Sequence, residues 1–413
     1  MSLFRFVRVL GVFLFLAALG SGIARTQEIK TVFVIAMENH NWTQPANPFN
    51  GGIQQIYQNP AAPFINSLVD GTAFVSINGS MVNISSQVAY AAAYHNVLAT
   101  PSGNNPHIHP SEPNYLWAEA GTNFGVFNDN DPFSPNGPTN QNTTQHLVTF
   151  LTAAGRTWKS YQEDIDLTPD ASGSLTNVPL PQAQWTVPIT SHSGVFSSGV
   201  NAYNGSAQFN YAAKHNPMVF FTDSNGGNDS STGNPLRLQY APLQQLATDL
   251  ANGAVAEYNW ISPNQYNDMH TTLTGGYKGL TGDPAKIKQG DDFLSQIIPM
   301  IMASSAYQNH GAIIIWFDES ESDGVAGDNG DDFSHTIGEI VISPFAHFNV
   351  RGLPYASRVN LTHSSDLATL QKIFHVGSSF LGDAANATDL SDLFQPGAVP
   401  VNLIPIPPSD SQN

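Results

Sequence analysis

Residues Thr31 to Ala36 read TVFVIA, an unbroken apolar and largely β-branched run, which is the pattern of a strand covered on both faces. Comparable runs recur at Met218 to Phe221, Val255 to Ile261, Gly311 to Phe317 (GAIIIWF) and Glu339 to Ser343. Between them the period lengthens to that of a helix. Thr144 to Ala154 stops at Gly155, Leu236 to Ala251 stops at Gly253, Asp291 to Ala303 is apolar along one face, and Ser365 to Phe374 ends before Gly377. Strands alternating with helices predict an α/β fold, a mainly parallel central sheet flanked by helices. Sites in such sheets form beyond the carboxyl ends of the strands. Two stretches, Asn123 to Asn142 and Thr168 to Gly205, are rich in Pro, Gly, Asn and Ser and are expected to form long surface loops or a lid.

The amino terminus breaks this alternation. Arg5 and Arg8 precede an apolar run from Val9 to Leu19 and then small residues up to Ala24, the pattern of a secretory signal. A membrane anchor is the competing reading, but the run falls short of the roughly 20 apolar residues that span a bilayer. The chain is therefore divided into a signal over 1–24, one catalytic domain over 25–394 and a Pro-rich tail over 395–413, and the mature protein is expected to be secreted or periplasmic without stable membrane insertion. Composition agrees. The 413 residues contain no cysteine, which excludes disulfides, thiolate metal sites and cysteine nucleophiles. With 14 Lys+Arg against 32 Asp+Glu the net charge is −18, which repels phosphate backbones and argues against nucleic acid as a partner. Sequons at Asn83 and Asn360 are what a chain so rich in Asn, Ser and Thr produces by chance. No protein partner is expected.

Candidate chemistry collects at the strand ends. Glu38 and Asn39 follow the first strand, a carboxylate beside an amide oxygen, which suits a hard divalent cation or else simply turns the chain out of the sheet. Asp318 and Glu319 end the GAIIIWF strand, and two adjacent acids at a buried element repel unless a cation or proton lies between them. The acids Glu321, Asp323, Asp328, Asp331 and Asp332 read as a solvated loop, with a calcium site as the alternative. His109-Pro110-Ser111-Glu112-Pro113-Asn114-Tyr115 leads into an apolar helix. Ser111 suits an N-cap and equally a hydroxyl that a helix N-terminus would help to carry a phosphoryl group; the two readings are open on these grounds. Asp268 and His270 lie just past the strand ending at Ile261. His335 precedes the strand around Val341, and His363 opens the last helix with Thr362 or Ser364 as its cap.

Seven motifs occur in one order: MEN at Met37 to Asn39, HPSEPNY at His109 to Tyr115, WKSYQED at Trp158 to Asp164, KHNP at Lys214 to Pro217, NDMH at Asn267 to His270, WFDE at Trp316 to Glu319, and THSSDLATLQKIF at Thr362 to Phe374. Together they resemble the secreted phosphoesterase family of bacterial and fungal acid phosphatases and phosphatidylinositol-3-phosphatases, related to phospholipases C, within the alkaline phosphatase-like superfamily. The resemblance implies Glu38, Asn39, Asp318 and Glu319 as metal ligands and Ser111 as a nucleophile that also touches the metal. It implies Asn114 as a phosphoryl-oxygen donor, and His270 with Asp268, and His363, as walls of the phosphate pocket, where a protonated His270 or His363 would assist the leaving group. Lys159, Lys214 and His215 are implied phosphate contacts. A second metal, where present, would use Asp268, His270 and His335. The departures, NHNW at Asn39 to Trp42, a longer segment Thr100 to Ile108 before HPSEPNY, and Thr271-Thr272 after NDMH, fall in loops and bear on substrate preference.

The function so implied is hydrolysis of phosphomonoesters through a phosphoseryl intermediate with a divalent ion, magnesium, calcium, manganese or zinc. The substrate would be a small phosphomonoester or a phospholipid. A phospholipase C-type diesterase acting on lipid headgroups is the first alternative, and a non-catalytic exported carbohydrate-binding protein the second.

Overall fold

The structure, a computed structural model, describes residues 27–96, 108–324 and 334–403. The expected signal sequence, the end of the tail, most of Thr100 to Ile108, and Asp328, Asp331 and Asp332 lie outside the described residues. Eight strands form the central sheet: β1 (Thr31–Met37), β2 (Val88–Ala91), β3 (Trp158–Gln162), β4 (Tyr240–Pro242), β5 (Tyr258–Ser262), β6 (Gly311–Phe317), β7 (Glu339–Ile342) and β8 (Tyr355–Ser357), in the order β4-β3-β5-β1-β6-β7-β2-β8. The first five in that order run parallel. Only β7 runs against its neighbours. The α/β fold with a mainly parallel sheet thus stands, and every residue of β5, β6 and β7 is buried, as strands covered on both faces must be.

Six helices bear on the site: α1 (Pro63–Asp70), α2 (Ser111–Ala120), α3 (Leu147–Ala153), α4 (Gln244–Asn252), α5 (Asp283–Met302) and α6 (His363–Phe374). Among the described residues no helix is long and apolar enough to cross a membrane. Helix α6 carries a capping box in which Thr362 and Ser365 satisfy each other's free N–H groups, so Thr362 is the cap.

Several sequence expectations need correction. Met218 to Phe221 is not a strand but part of a fully buried 3-10 turn, Pro217–Phe220. Pro217 at its first position fixes a helical φ, and a four-residue apolar run cannot by periodicity distinguish a buried turn from a strand. The helix expected from Leu236 to Ala251 is three pieces: a 3-10 turn Pro235–Gln239, strand β4, and α4 starting only at Gln244 beyond Pro242. Helix α5 begins eight residues before Asp291, with Pro284 in its first turn. Ser111 is not an N-cap. Pro110 holds that position, so Ser111 is the first helical residue with its hydroxyl uncommitted to the helix.

Strand β3 escaped the apolar criterion because WKSYQ is half polar. Its buried polar side chains satisfy one another instead: Ser160 Oγ donates to Asn216 Oδ1 at 2.9 Å, and Gln162 Nε2 donates to Ser160 Oγ at 2.9 Å and Ser262 Oγ at 3.0 Å. The Thr168 to Gly205 excursion contains short ribbons, Leu167–Pro169 with Leu175–Pro179 and His192–Val195 with Gln208–Tyr211.

Candidate active site

In the register of the sheet Met37 lies beside Phe317, so the residues that follow the two central strands leave at one level. Backbone pairing continues past the strands: Asp318 N–H donates to Met37 C=O at 3.2 Å and Glu38 N–H to Asp268 C=O at 2.8 Å. Three chain segments far apart in the sequence, at Glu38, Asp268 and Asp318, are thereby laced together. Asn39 and Met269 both adopt left-handed backbone, with φ of 48° and 84°, a conformation uncommon outside glycine and found where surrounding structure imposes it.

Around that lacing Glu38, Asp318, Glu319 and Asp268 are all buried. Ser111 Oγ donates to Glu38 Oε2 at 2.9 Å and lies 3.4 Å from both Asn39 Oδ1 and Glu319 Oε1. Asn39 N–H donates to Asp318 Oδ1 at 3.0 Å. Asn114, one helical turn after Ser111, donates from Nδ2 to Glu319 Oε2 at 3.1 Å and to Ile108 C=O at 2.9 Å, leaving its Oδ1 without a partner. The Tyr115 hydroxyl donates to Glu38 Oε1. Tyr115 had no role in the sequence reading; its i+4 spacing from Ser111 on one helix face is the signal that finds it.

The electrostatics are those of a crowded acid cluster. Burial, then the Asp268 charge, pushes Glu38 far above the usual carboxylate range, and burial, then Glu38, does the same to Asp318. Burial and Asp318 lift Glu319 to about 8. Such acids must hold protons or share a cation. The donor set fits a hard cation: Asp318 Oδ2 is buried without a hydrogen-bond partner, and one end of the Asn39 amide lies 2.7 Å from Glu38 Oε2 and 3.3 Å from Glu319 Oε1. Without a cation that end must be the NH₂; with one, it would be the oxygen. Glu38, Asn39, Asp318, Glu319 and Ser111 converge as one group of oxygen donors. A neighbouring set shares Glu319, with donor atoms of His109, Glu319 and Glu321 within 4.8 Å of one another, and His109 Nδ1 is 2.8 Å from Glu319 Oε2. His109 and Glu321 had been read as a motif residue and a solvated acid.

On the other side of Glu38, the His215 ring stacks on Tyr115 and sits 3.1 Å from both Glu38 Oε1 and Asp268 Oδ2, off the line of a good hydrogen bond. His270 donates its backbone N–H to Asp268 Oδ1 at 2.8 Å, and its Nε2 is 3.5 Å from Lys214 Nζ. Burial and the Lys214 charge push His270 down to about 3. Burial opposes the charge on Lys214, yet Glu38, Asp129 and Asp318 outweigh it and hold its pKa raised. Lys214, His215, His270 and Asp268 therefore border the cluster. Lys159 does not join them: its ammonium pairs with Asp249 at 3.0 Å. His335 is held beside Asp323 and His95 rather than with Asp268 and His270. His363 lies behind Asp318 with both ring nitrogens engaged, Nε2 with the Asp318 C=O at 2.5 Å and Nδ1 with Trp316 Nε1 at 3.0 Å.

Fold and site together define an α/β protein in which acids from two adjacent strand ends meet the serine that begins a helix. Its sequence places it more narrowly: the chain belongs to the Phosphoesterase family, whose profile matches residues 22–377. It is 31% identical over 233 residues to an acid phosphatase of Aspergillus fumigatus, a match covering 56% of this chain and 39% of that protein, so the chain spans about two fifths of that relative's length. It is 24% identical to a phosphatidylinositol-3-phosphatase of Mycobacterium tuberculosis over 82% of this chain and 78% of that one. A solved lipoteichoic acid synthase from Listeria monocytogenes overlays 89% of this chain and 76% of its own at 8% identity and a TM-score of 0.39, too distant to bear on function.

Proposed function

We propose that the protein is an exported, cation-dependent phosphomonoesterase that works through a phosphoseryl intermediate. The observation that carries the reading is Ser111 Oγ at 2.9 Å from Glu38 Oε2 and 3.4 Å from Glu319 Oε1, inside an acid cluster with an orphaned Asp318 oxygen. Family membership and two relatives named as phosphatases support it. Export rests on the leader-like segment over 1–24.

A serine hydroxyl is scarcely ionised at neutral pH, and a divalent ion held by Glu38, Asn39, Asp318 and Glu319 would supply the charge that makes its alkoxide accessible. Ser111 Oγ attacks phosphorus, its proton passing to Glu38 Oε2 for return to Ser111 at the end of the cycle, while the bond from phosphorus to the leaving oxygen breaks and the departing alkoxide takes its proton from solvent water. Water then attacks the phosphoserine, the Oγ–P bond breaks, inorganic phosphate leaves and Ser111 regains its proton. Lys214 supplies fixed positive charge for the phosphoryl oxygens, and the Asn114 amide can exchange its Glu319 hydrogen bond for one of them. His270, pushed down to about 3 by burial and the Lys214 charge, enters as a hydrogen-bonding wall.

Ser111→Ala is expected to reduce turnover of p-nitrophenyl phosphate to background while circular dichroism stays that of the wild type; a variant with most of the wild-type kcat would remove Ser111 as nucleophile. Chelation should silence the wild type and Mg²⁺ or Mn²⁺ should restore it, whereas full activity in verified metal-free protein would end the cation assignment. A panel of monoesters, phosphoinositides and phosphatidylcholine reads the substrate class, and preference for the diester would replace the phosphatase reading with a phospholipase C-type one.

A further inference from the structure

Both carbonyls that anchor the acid-bearing strand ends are held from behind by a buried imidazole. His40 Nδ1 donates to the Glu38 C=O at 2.9 Å, and its Nε2 lies 3.2 Å from Asp283 Oδ1 at the start of α5. Asp283 is itself fixed by the Gln54 N–H at 2.8 Å. At the other strand end the Trp316 indole, which can only donate, points at His363 Nδ1. Nδ1 is therefore the acceptor, Nε2 carries the hydrogen, and that hydrogen goes to the Asp318 C=O at 2.5 Å. The Tyr94 hydroxyl donates to the Asp366 carboxyl and lies 2.9 Å from His363 Nδ1. His40, His363 and Tyr94 are all fully buried. Neither ring has a nitrogen left over for substrate.

We propose that His40 and His363 are paired positioning residues that fix the backbone of Glu38 and Asp318 so that their carboxylates meet the cation, each braced at its far nitrogen, His40 by the Asp283 carboxyl and His363 by the Trp316 indole. His363 accordingly transfers no proton to the leaving group. The arrangement matches the general rule that a cation site is set by the partners that orient its ligands, whose loss costs about 10–100-fold in affinity. The inference rests on the reading of Glu38 and Asp318 as cation ligands.

The test is Mn²⁺ binding to chelator-treated full-length protein by isothermal calorimetry, with the pH profile of kcat as a second readout. An amide can replace each required N–H: the Asn Nδ2 stands where His Nδ1 does, and the Gln Nε2 where His Nε2 does. His40→Leu and His363→Leu are expected to weaken Mn²⁺ binding by about 10–100-fold, and His40→Asn and His363→Gln to recover most of the loss. His363→Gln should keep the wild-type shape of the pH profile. If the leucine variants do not fold, the amide variants decide alone: a profile that loses a limb in His363→Gln makes His363 an acid or base and overturns the proposal. Equal affinity in the leucine variants and wild type overturns it too. A wild type that binds no Mn²⁺ refutes the ligand reading beneath it, an outcome the calorimetry separates from failure of the braces.

Discussion

The two lysines expected at the phosphate show how much a single residue's role depends on what it faces. Lys214 is drawn toward the cluster by Glu38 and Asp318, with Asp129 at 2.9 Å, whereas Lys159 is spent on Asp249, which also accepts the Tyr161 hydroxyl at 2.7 Å. Lys214→Ala is expected to lower kcat/KM about 10²-fold, the scale of losing one charged donor to a developing oxyanion. Lys159→Ala should instead show itself in the denaturation midpoint, by about 1 kcal/mol or less. Steady-state kinetics and urea titration of the two variants check this, and a larger kinetic loss in Lys159→Ala would reverse the assignment. Ser111 carries the same lesson. The sequence could not separate cap from nucleophile, and the structure separates them through Pro110, which takes the cap position and leaves the hydroxyl to Glu38.

At the scale of elements, the loop bearing Asp268 and His270 is seated by a close approach. A Cβ on Gly290 of α5 would sit 2.4 Å from Met269 Cγ and 2.8 Å from Met37 Cε. In a helix interior Gly→Ala alone gains about 1 kcal/mol, so the sign of Gly290→Ala reports which effect wins. Here the alanine must push Met269, and the expected outcome is a net loss of about 1–3 kcal/mol with reduced kcat/KM, because Asp268 and His270 flank the displaced residue. A stabilised variant with full activity would show that this seat is soft. The elements that carry the cluster, β1, β6 and the helix from Ser111, were legible in the sequence because unbroken apolar runs and a proline-marked helix start are local signals. What was not legible is nonlocal. Strand β3 is polar because its partners Asn216 and Ser262 are brought by the fold, the turn at Pro217–Phe220 is apolar because α2 and its surroundings bury it, and the engagement of His363 by Trp316 and Asp318 exists only once β6 and α6 meet. The motif order located the acids and the serine; it assigned no role to Tyr115, His40 or His109.

For the whole molecule, buried acids set the pH response. Burial, then Asp164, lifts Glu163 to about 8; burial and Asp318 lift Glu319 to about 8; burial lifts Glu112 to about 9. Each folded value lies above that of an unfolded carboxyl, so the folded chain holds protons the unfolded chain has released, and stability is lost as pH rises toward the folded value. Below about 6.5 the buried His95, His270 and His363, pushed by burial to about 4, 3 and 3, work the other way. Above it the acids act together with His146, where burial is outweighed by Asp223 and Glu119 so that its pKa is raised, and both contributions to stability are lost as pH rises. The melting temperature of chelator-treated protein is therefore expected to fall between pH 6.5 and 9, and a calorimetric Tm that is flat or rising across that window would contradict the account.

The neighbourhood of Met37 and Phe317 also governs when the molecule becomes competent. Asn39 and Asp318 are 279 positions apart, so a nascent chain halted anywhere before Phe317 owns half of the acid cluster and none of the other half. No product that stops short of Asp318 can assemble it, and pairing of β6 with β1 brings Asp318 and Glu319 to the Glu38 and Asn39 that precede them. Completion of the chain is thus built into the site as a precondition, enforced by topology alone.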